Sequence, residues 1–425
     1  MRIPALFLIF AACATAGEVK TLTLKQALAL ALEQNPDVLL ARLDQQKARN
    51  QILIAKDAFQ PKVTGGAGLA WSNGTPTVID GNPPSIFEVR TDMALFDRSQ
   101  SYKIAQAKEN LRGSGFDVTR RQEDAAYRVA TLFLDAEQAA HSLDSAEQQV
   151  KNLSKVKDLV DARVADGREL PLESKRANMN MLIAKNNVEK LNVNLMYAEM
   201  SLAQVLGMGP DDRVHAAQEE RTPIAVPASE DASIEEALAH SPELRRLESD
   251  VEAKTLEVKS YRAARLPKVN LVAQDNVAAH YNYSDSLYPF RRNLPELGAS
   301  ITVPFLVGRT AKAYAMDAEA DVERIKVTMG RTRSQIASDL RRAYQEVKSA
   351  DSSRELAKAD LDFTRDELSV DLAQYEEGKL PLSKIEALRA TENEKFLTFY
   401  VSQQTSERAR LNVLRLTGTL VAALK

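Results

Sequence analysis

The chain has 425 residues, of which 27% are charged and 6% aromatic, with a formal net charge of −3. Few aromatics and many charges favour long helices over a thick globular core, and interspersed, nearly balanced charge excludes the basic field that a nucleic-acid partner needs. The histidines His141, His215, His240 and His280 are scattered without metal-ligand spacing, and no phosphate loop, zinc motif or nucleophile elbow occurs. No catalytic residue, cofactor or metal is therefore expected, and an enzyme is not the favoured reading.

Met1-Arg2, the apolar run Ile3 to Ala12 and Ala14-Thr15-Ala16 form the three parts of an export signal, which places a mature start near Gly17. Phe10-Ala11-Ala12-Cys13 also approximates a lipoprotein signal in which Cys13 would be acylated, but Phe at its first position favours a discarded signal. No later run of eighteen apolar residues occurs, so a membrane crossing would have to use β-strands.

Thr23-Leu24-Lys25-Gln26 is a capping-box pattern ahead of an Ala/Leu run, and Ser233-Ile234-Glu235-Glu236 is read as its counterpart further on. Asn35-Pro36 and Ser241-Pro242 each restart a helix with an N-cap and a proline at N1. On this reading the caps lie 210 residues apart (23 to 233) and the prolines 206 (36 to 242), so the first copy is expected to hold one extra helical turn.

The next marker occurs twice, as Ala58-Phe59-Gln60-Pro61-Lys62-Val63 and as Ala264-Arg265-Leu266-Pro267-Lys268-Val269. Helical sequence precedes each copy and alternation at period two follows. A proline suits the change because it lacks an N–H donor and drives its predecessor towards extended backbone.

After the first switch a strand is expected to about Trp71, then a turn-rich loop, then a strand with Phe87, Val89, Thr91, Met93 and Leu95 on one face and Glu88, Arg90, Asp92 and Ala94 on the other. After the second, Val269, Leu271 and Ala273 alternate with Asn270, Val272 and Gln274. A Tyr-rich loop (Tyr281, Tyr283, Tyr288, Phe290) leads to Leu297, Ala299, Ile301 and Val303 against Gly298, Ser300 and Thr302. A solvated antiparallel sheet would also alternate; two hairpins rimmed by Trp71, Phe87, Tyr281, Tyr288 and Phe305 favour a membrane barrel with aromatic girdles.

Helices are then expected over 99–165 and 309–376, with the heptad seams Val129, Leu132, Ala136, Ala139, Leu143, Ala146, Val150, Leu153 and Leu340, Ala343, Val347, Ala350, Arg354, Ala357, Leu361, Thr364. Each long helix ends in a turn around Gly167 or Gly378, and a further helix runs to Leu206 or Thr417 before a glycine C-cap. Residues 209–230 read as a linker. The resulting division is a signal peptide (1–16), a first repeat (17–208, hairpin about 62–96), the linker, and a second repeat (231–425, hairpin about 268–305).

The Leu24-Ala27-Leu28 opening, the Asn-Pro-Asp and Ser-Pro-Glu helix starts, both Pro-Lys-Val switches, Leu95-Phe96-Asp97 and the glycine-containing tips resemble the outer membrane efflux proteins, the TolC-like channels, over nearly the whole mature chain. The resemblance implies a mixed α/β, mostly α membrane protein. In it a long antiparallel α-helical barrel continues from a transmembrane β-barrel built from four strands per protomer in a homotrimer. It implies a passive exit duct for efflux or type I secretion, lying in the outer membrane lipid, with a periplasmic tunnel. The duct is coupled through a periplasmic adaptor to an inner-membrane pump of RND or ABC type.

By the same analogy Arg163, Gly167, Leu170, Pro171, Tyr375, Gly378, Leu380 and Pro381 are tip residues facing the adaptor. Some relatives carry aspartates six and nine positions past the second tip glycine. Here those positions are Lys384 and Ala387, so a gate of mixed charge from Glu173, Arg176, Lys384 and Glu386 is expected instead. Lys62 and Lys268 are expected at the headgroup boundary with their amines reaching water. The alternative is a periplasmic coiled-coil scaffold that forms no channel, which leaves the paired alternating segments unexplained.

Overall fold

The computed structural model describes residues 19–68, 85–217, 225–227, 229–278, 292–305, 309–377, 379–380 and 382–424. The signal segment with Cys13, the rim aromatics Trp71, Tyr281 and Tyr288, the loop residues Tyr283 and Phe290, and the tip residues Gly378 and Pro381 lie outside the described residues. In order, the elements are β1 (Val19–Leu22), α1 (Leu24–Gln34), α2 (Pro36–Lys56), a 3-10 turn (Asp57–Phe59), β2 (Lys62–Gly68), β3 (Ser85–Phe96), α3 (Arg98–Ala165), α4 (Pro171–Val205), β4 (Arg213–Ala216), α5 (Glu230–His240), α6 (Pro242–Ala263), β5 (Lys268–Ala278), β6 (Asn293–Thr302), α7 (Thr310–Glu376), α8 (Leu382–Thr417) and α9 (Leu420–Leu424).

Two compact units result. One comprises residues 1–40, 119–241 and 334–425, the other 41–118 and 242–333. In the first, α1, α4, α8, α9 and the later part of α3 enclose a core that includes Leu28, Phe133, Leu134, Leu202, Leu206, Leu411 and Leu420, all fully or nearly fully buried. A second cluster joins α5, α7 and α8 through Ile234, Leu340, Tyr344 and Val413. The second unit holds a four-stranded antiparallel sheet, in the order β2-β3-β5-β6, together with α6, most of α2 and the first parts of α3 and α7.

The local rules hold at several helix ends. Thr23 and Gln26 make the reciprocal capping box. Asn35 Oδ1 accepts from the backbone N–H of Asp37 (2.9 Å) and Val38 (3.2 Å), while its Nδ2 donates to the Val205 carbonyl at 2.7 Å. Gly167 (φ 68°), Gly207 (φ 78°) and Gly418 (φ 73°) end helices in the left-handed region. After each, the next N–H reaches back over the last turn: Arg168 to Arg163, Met208 to Ala203, Thr419 to Leu414.

Three expectations change, for the second cap, the extra turn and the linker, and two features are new. The second cap is Ser229, whose Oγ accepts from Ala232 N–H, and not Ser233. Ser233 lies inside α5, where its hydroxyl meets the Tyr344 hydroxyl at 2.7 Å and donates to the Ser229 carbonyl. Moving the cap back one turn makes α1 and α5 equal, 11 residues each, and the extra turn expected in the first copy is not there. The expected linker contains β4, which pairs in parallel with β1 and buries Val214 and Ala216. Past Gly418 the chain forms α9, which seats Leu420 in the core. Lastly, a register shift between Ala94 and Phe96 makes Phe96, rather than Leu95, the neighbour of Val269.

Candidate functional site

Two surfaces concentrate the candidate residues: the faces of the sheet and the ends of the helical hairpins. The sheet belongs to the second unit, the hairpin ends to the first.

Residues directly opposite in antiparallel strands share a face. One row reads Val63, Thr91, Ala273, Leu297 across the four strands, and the row one residue on reads Thr64, Arg90, Gln274, Glu296. Extending each gives a mainly apolar face, with Val89, Met93, Leu271, Ala299 and Ile301 but also Asp275 opposite Val89, and a mainly polar face, with Glu88, Asp92, Asn270, Asn276, Ser300 and Thr302 but also Val272. The register thus gathers Glu88, Arg90, Asp92, Ser300 and Thr302 on one side, as their alternation requires. On the apolar face Val63 (69% exposed), Leu297 (78%) and Ile301 (68%) are left without cover. Phe87 and Phe305, the rim aromatics that are described, are exposed as well.

Arg90 grips Asp92 through Nε (2.8 Å) and Nη2 (3.1 Å). At the end of the sheet that joins the helices, Lys62 pairs with Asp57 (2.5 Å) and Lys268 with Asp97 (3.0 Å). Both boundary lysines therefore face a carboxylate rather than water alone. Among the described residues no helix is long and apolar enough to cross a membrane.

At the first hairpin end, Pro171 opens α4 and Leu170 is its N-cap without a side-chain cap bond. Leu170 and Leu172 stand exposed, and Arg163 reaches Glu169 over the turn at 3.8 Å. At the second, the Lys379 N–H closes onto the Gln374 carbonyl at 2.9 Å, with Tyr375 and Leu380 half-buried. The four gate candidates are engaged within their own hairpins: Glu173 with Arg176 (3.0 Å), Lys384 with Asp371 (3.0 Å), Glu386 with Arg389 (3.7 Å). Glu386 and Arg389 also line a cleft of about 310 Å³ between α3, α7 and α8, beside Ser145, Gln148, Asn152 and Asn393.

Sequence reasoning missed the carboxylates that hold each hairpin just behind its turn. Asp161 on α3 accepts from the Ser174 hydroxyl on α4 and pairs with Lys157 at 2.6 Å. Asp371 on α7 takes Lys384 on α8. The steps 161 to 371 and 174 to 384 are both 210, so an offset comparison with the first hairpin would have found them. Lys157 and Ser174, in that order of strength, hold the Asp161 carboxyl below its ordinary pKa.

Comparison with known proteins settles the class. The outer membrane efflux protein family matches residues 27–208 and 233–423, most of the chain. The chain belongs to the outer membrane efflux protein family. It is an outer-membrane transport protein with its helices in the periplasm. Among relatives of this outer membrane efflux protein, the "Outer membrane efflux protein BepC" of Brucella suis is 24% identical over 354 residues, 81% of this chain and 72% of that one. "Protein CyaE" of Bordetella pertussis is 24% identical over 357 residues, 80% and 72%. The fold matches CusC with a TM-score of 0.74 at 16% identity, covering 93% of this chain and 91% of that one. It also matches the outer membrane protein VceC of Vibrio cholerae with a TM-score of 0.71 at 14% identity, covering 93% and 96%. BepC is described as an outer membrane efflux protein, and the CusC structure by transmembrane channel formation.

Proposed function

We propose that this efflux protein is one subunit of a homotrimeric exit duct, in which three four-stranded sheets close a twelve-stranded barrel above a helical tunnel. The observation that carries the reading is the sheet itself. Among the described residues it has one mainly apolar face, one mainly polar face and two unpaired edges, β2 and β6. Unsatisfied strand edges are untenable in lipid, and four strands cannot close on themselves, so several chains must share one barrel. Described strand lengths of 12, 11 and 10 residues for β3, β5 and β6 suit a tilted crossing of about 9–11 residues. The polar face then lines a water-filled lumen and the apolar face meets lipid.

In this reading the chain divides into the two repeats 17–208 and 231–425, joined by 209–230. The hairpin ends, with Arg163, Gly167, Leu170 and Pro171 in one and Tyr375, Gly378, Leu380 and Pro381 in the other, dock a periplasmic adaptor that brings an inner-membrane pump. Glu173, Arg176, Lys384 and Glu386 lie just past the turns, where a constriction would be set. The exposed Leu170 and Leu172 supply the apolar contact such docking uses.

Differential extraction tests the channel. The mature protein is expected to resist salt and carbonate washing and to run as a heat-modifiable trimer; release by either wash as a monomer would refute the duct. For the tips, replacing Gly167 and Gly378 together with bulky residues is expected to leave the trimer intact and abolish export. A Cβ at Gly167 meets nothing within 4 Å, so the cost there is that of the left-handed backbone alone, about 1–2 kcal/mol. Normal export by that double variant would sink the docking assignment.

A further inference from the structure

Part of the polar face is matched within the sheet. Arg90 grips Asp92, the Gln274 amide donates to Glu296, and the Thr64 hydroxyl donates to the Arg90 carbonyl. Glu88 and Asn276 differ from the rest of this face in being buried. They stand directly opposite each other on β3 and β5, with Cβ atoms about 5 Å apart by the geometry of such pairs. Glu88 is 7% exposed and Asn276 1%. Oε1 of Glu88 and both the Oδ1 and Nδ2 atoms of Asn276 are nevertheless buried without a hydrogen-bond partner. A carboxylate and a whole carboxamide left so are costly, and a retained cost of this kind points to a group that completes them. On the other side of Glu88 stands Gly66, where an added Cβ would meet nothing within 4 Å, so space adjoins the carboxylate.

We propose that Glu88 and Asn276 form a seat for a hydrated alkaline-earth cation, calcium or magnesium, near the end of the sheet remote from the helices. The donors on offer are a carboxylate oxygen and an amide oxygen, both hard ligands suited to such ions. The amide N–H, a donor only, is left to a water outside the ion's inner shell, because coordinated waters donate rather than accept. Among the described residues no three His, Cys, Asp or Glu side chains gather into a metal cluster, so a softer transition metal has no ligand set here. With only two protein oxygens and water completing the shell, the expected affinity is about 10⁻³ M, the weak end of the range for extracellular calcium modules, whose sites hold more oxygens. In the duct reading, on which the consequence for transport rests, three seats ring the outer mouth of the lumen. Their occupation adds positive charge there and lowers the passage of cations.

Equilibrium dialysis of radiolabelled calcium against the full mature protein in detergent, with magnesium as competitor, tests the seat. One ion per chain is expected, with magnesium competing. Glu88→Gln, which keeps the shape, is expected to weaken binding at least tenfold. Asn276→Asp, which adds a second carboxylate, is expected to tighten it several-fold, a gain that loss of folding cannot mimic. Absence of binding at 10⁻² M calcium, about tenfold above the expected range, or equal binding by wild type and both variants, overturns the proposal. Conductance in planar bilayers separates the two readings. Calcium is expected to lower the wild-type current and to leave the Glu88→Gln current unchanged. Variant-sensitive binding by a protein that forms no pore upholds the seat and refutes the duct.

Discussion

Gly207 and Gly167 end helices with similar positive φ angles but in different surroundings, and this pair separates backbone strain from steric overlap. A Cβ built on Gly207 falls 2.5 Å from the Gln34 carbonyl oxygen and 3.3 Å from its carbon. Gln34 ends α1, and its neighbour Asn35 is anchored to the Val205 carbonyl at 2.7 Å, so the obstructing backbone cannot easily withdraw. Gly207→Ala therefore incurs two costs: about 1–2 kcal/mol for a left-handed L-residue and about 1–3 kcal/mol for overpacking. Gly167→Ala incurs only the first. The gain from stiffening the unfolded chain is common to both and cancels in the comparison. The difference, about 1–3 kcal/mol, corresponds to a roughly 5- to 150-fold greater loss of protection at 1.4 kcal/mol per decade. Hydrogen exchange reads it locally, which avoids assuming two-state unfolding for a long membrane chain. Amides in the last turns of α1 and α4 are to be compared in Gly207→Ala with those flanking the tip in Gly167→Ala. Equal losses at the two sites would refute the argument that the Gln34 carbonyl blocks a side chain.

Arginine at Val89 or Leu271, on the apolar face, is expected to reduce trimer yield by an effect of about 2–4 kcal/mol near the bilayer midplane, whereas arginine at Ser300 leaves the yield unchanged; equal yields would overturn the face assignment. Asp161 has a depressed pKa in the folded chain, so the stability it adds is present above the ordinary value of 3.8 and is lost as the pH falls through the lower folded value. Tip proteolysis is thus expected to accelerate on acidification in the wild type, with Asp161→Asn already cleaved faster at neutral pH and flatter across that range. In α3, a Cβ on Gly113 would fall 2.4 Å from Nη1 of Arg246, which holds Asp117 at 2.9 Å and also pairs with Asp250. Gly113→Leu is therefore expected to destabilise the contact of α3 with α6 by about 1–3 kcal/mol, seen as lost exchange protection in α6; unchanged protection would show that Arg246 is free to move aside.

The features that were legible in the sequence are those fixed by short-range chemistry. Pro61 and Pro267 mark both changes from helix to strand, Asn35 and Thr23 cap as their neighbours dictate, and alternation sorts the strand faces. The misreadings arose where a distant partner decides. Ser233 has the right spacing for a capping box, yet Tyr344, more than a hundred residues away, takes its hydroxyl, and Ser229 caps instead. The four residues of β4 are too short to stand out, and their order comes from pairing with β1 at the other end of the first half. Phe133 and Leu134 lie beside the expected seam because α3 is packed on more than one side there, which a single heptad stripe cannot express. Asp161 and Asp371 looked like two of many surface acids until the hairpins placed Ser174 and Lys384 opposite them.

The order β2-β3-β5-β6 also determines how neighbouring chains must meet. All four strands join helices at one end of the sheet, and adjacent strands run in opposite directions. Two β2 edges paired antiparallel would send the helices of the two chains to opposite sides of the membrane. Two β2 edges paired parallel would turn the polar face of one chain to the side of the apolar face of the other. Only β2 of one chain against β6 of the next preserves both sidedness and face. Such a contact is heterologous, so the proposed duct would grow around a ring and be bounded only when the last β6 meets the first β2. An isolated pair of subunits would still carry one bare edge of each kind, which makes an open intermediate, rather than a stable dimer, the species to look for when assembly is slowed.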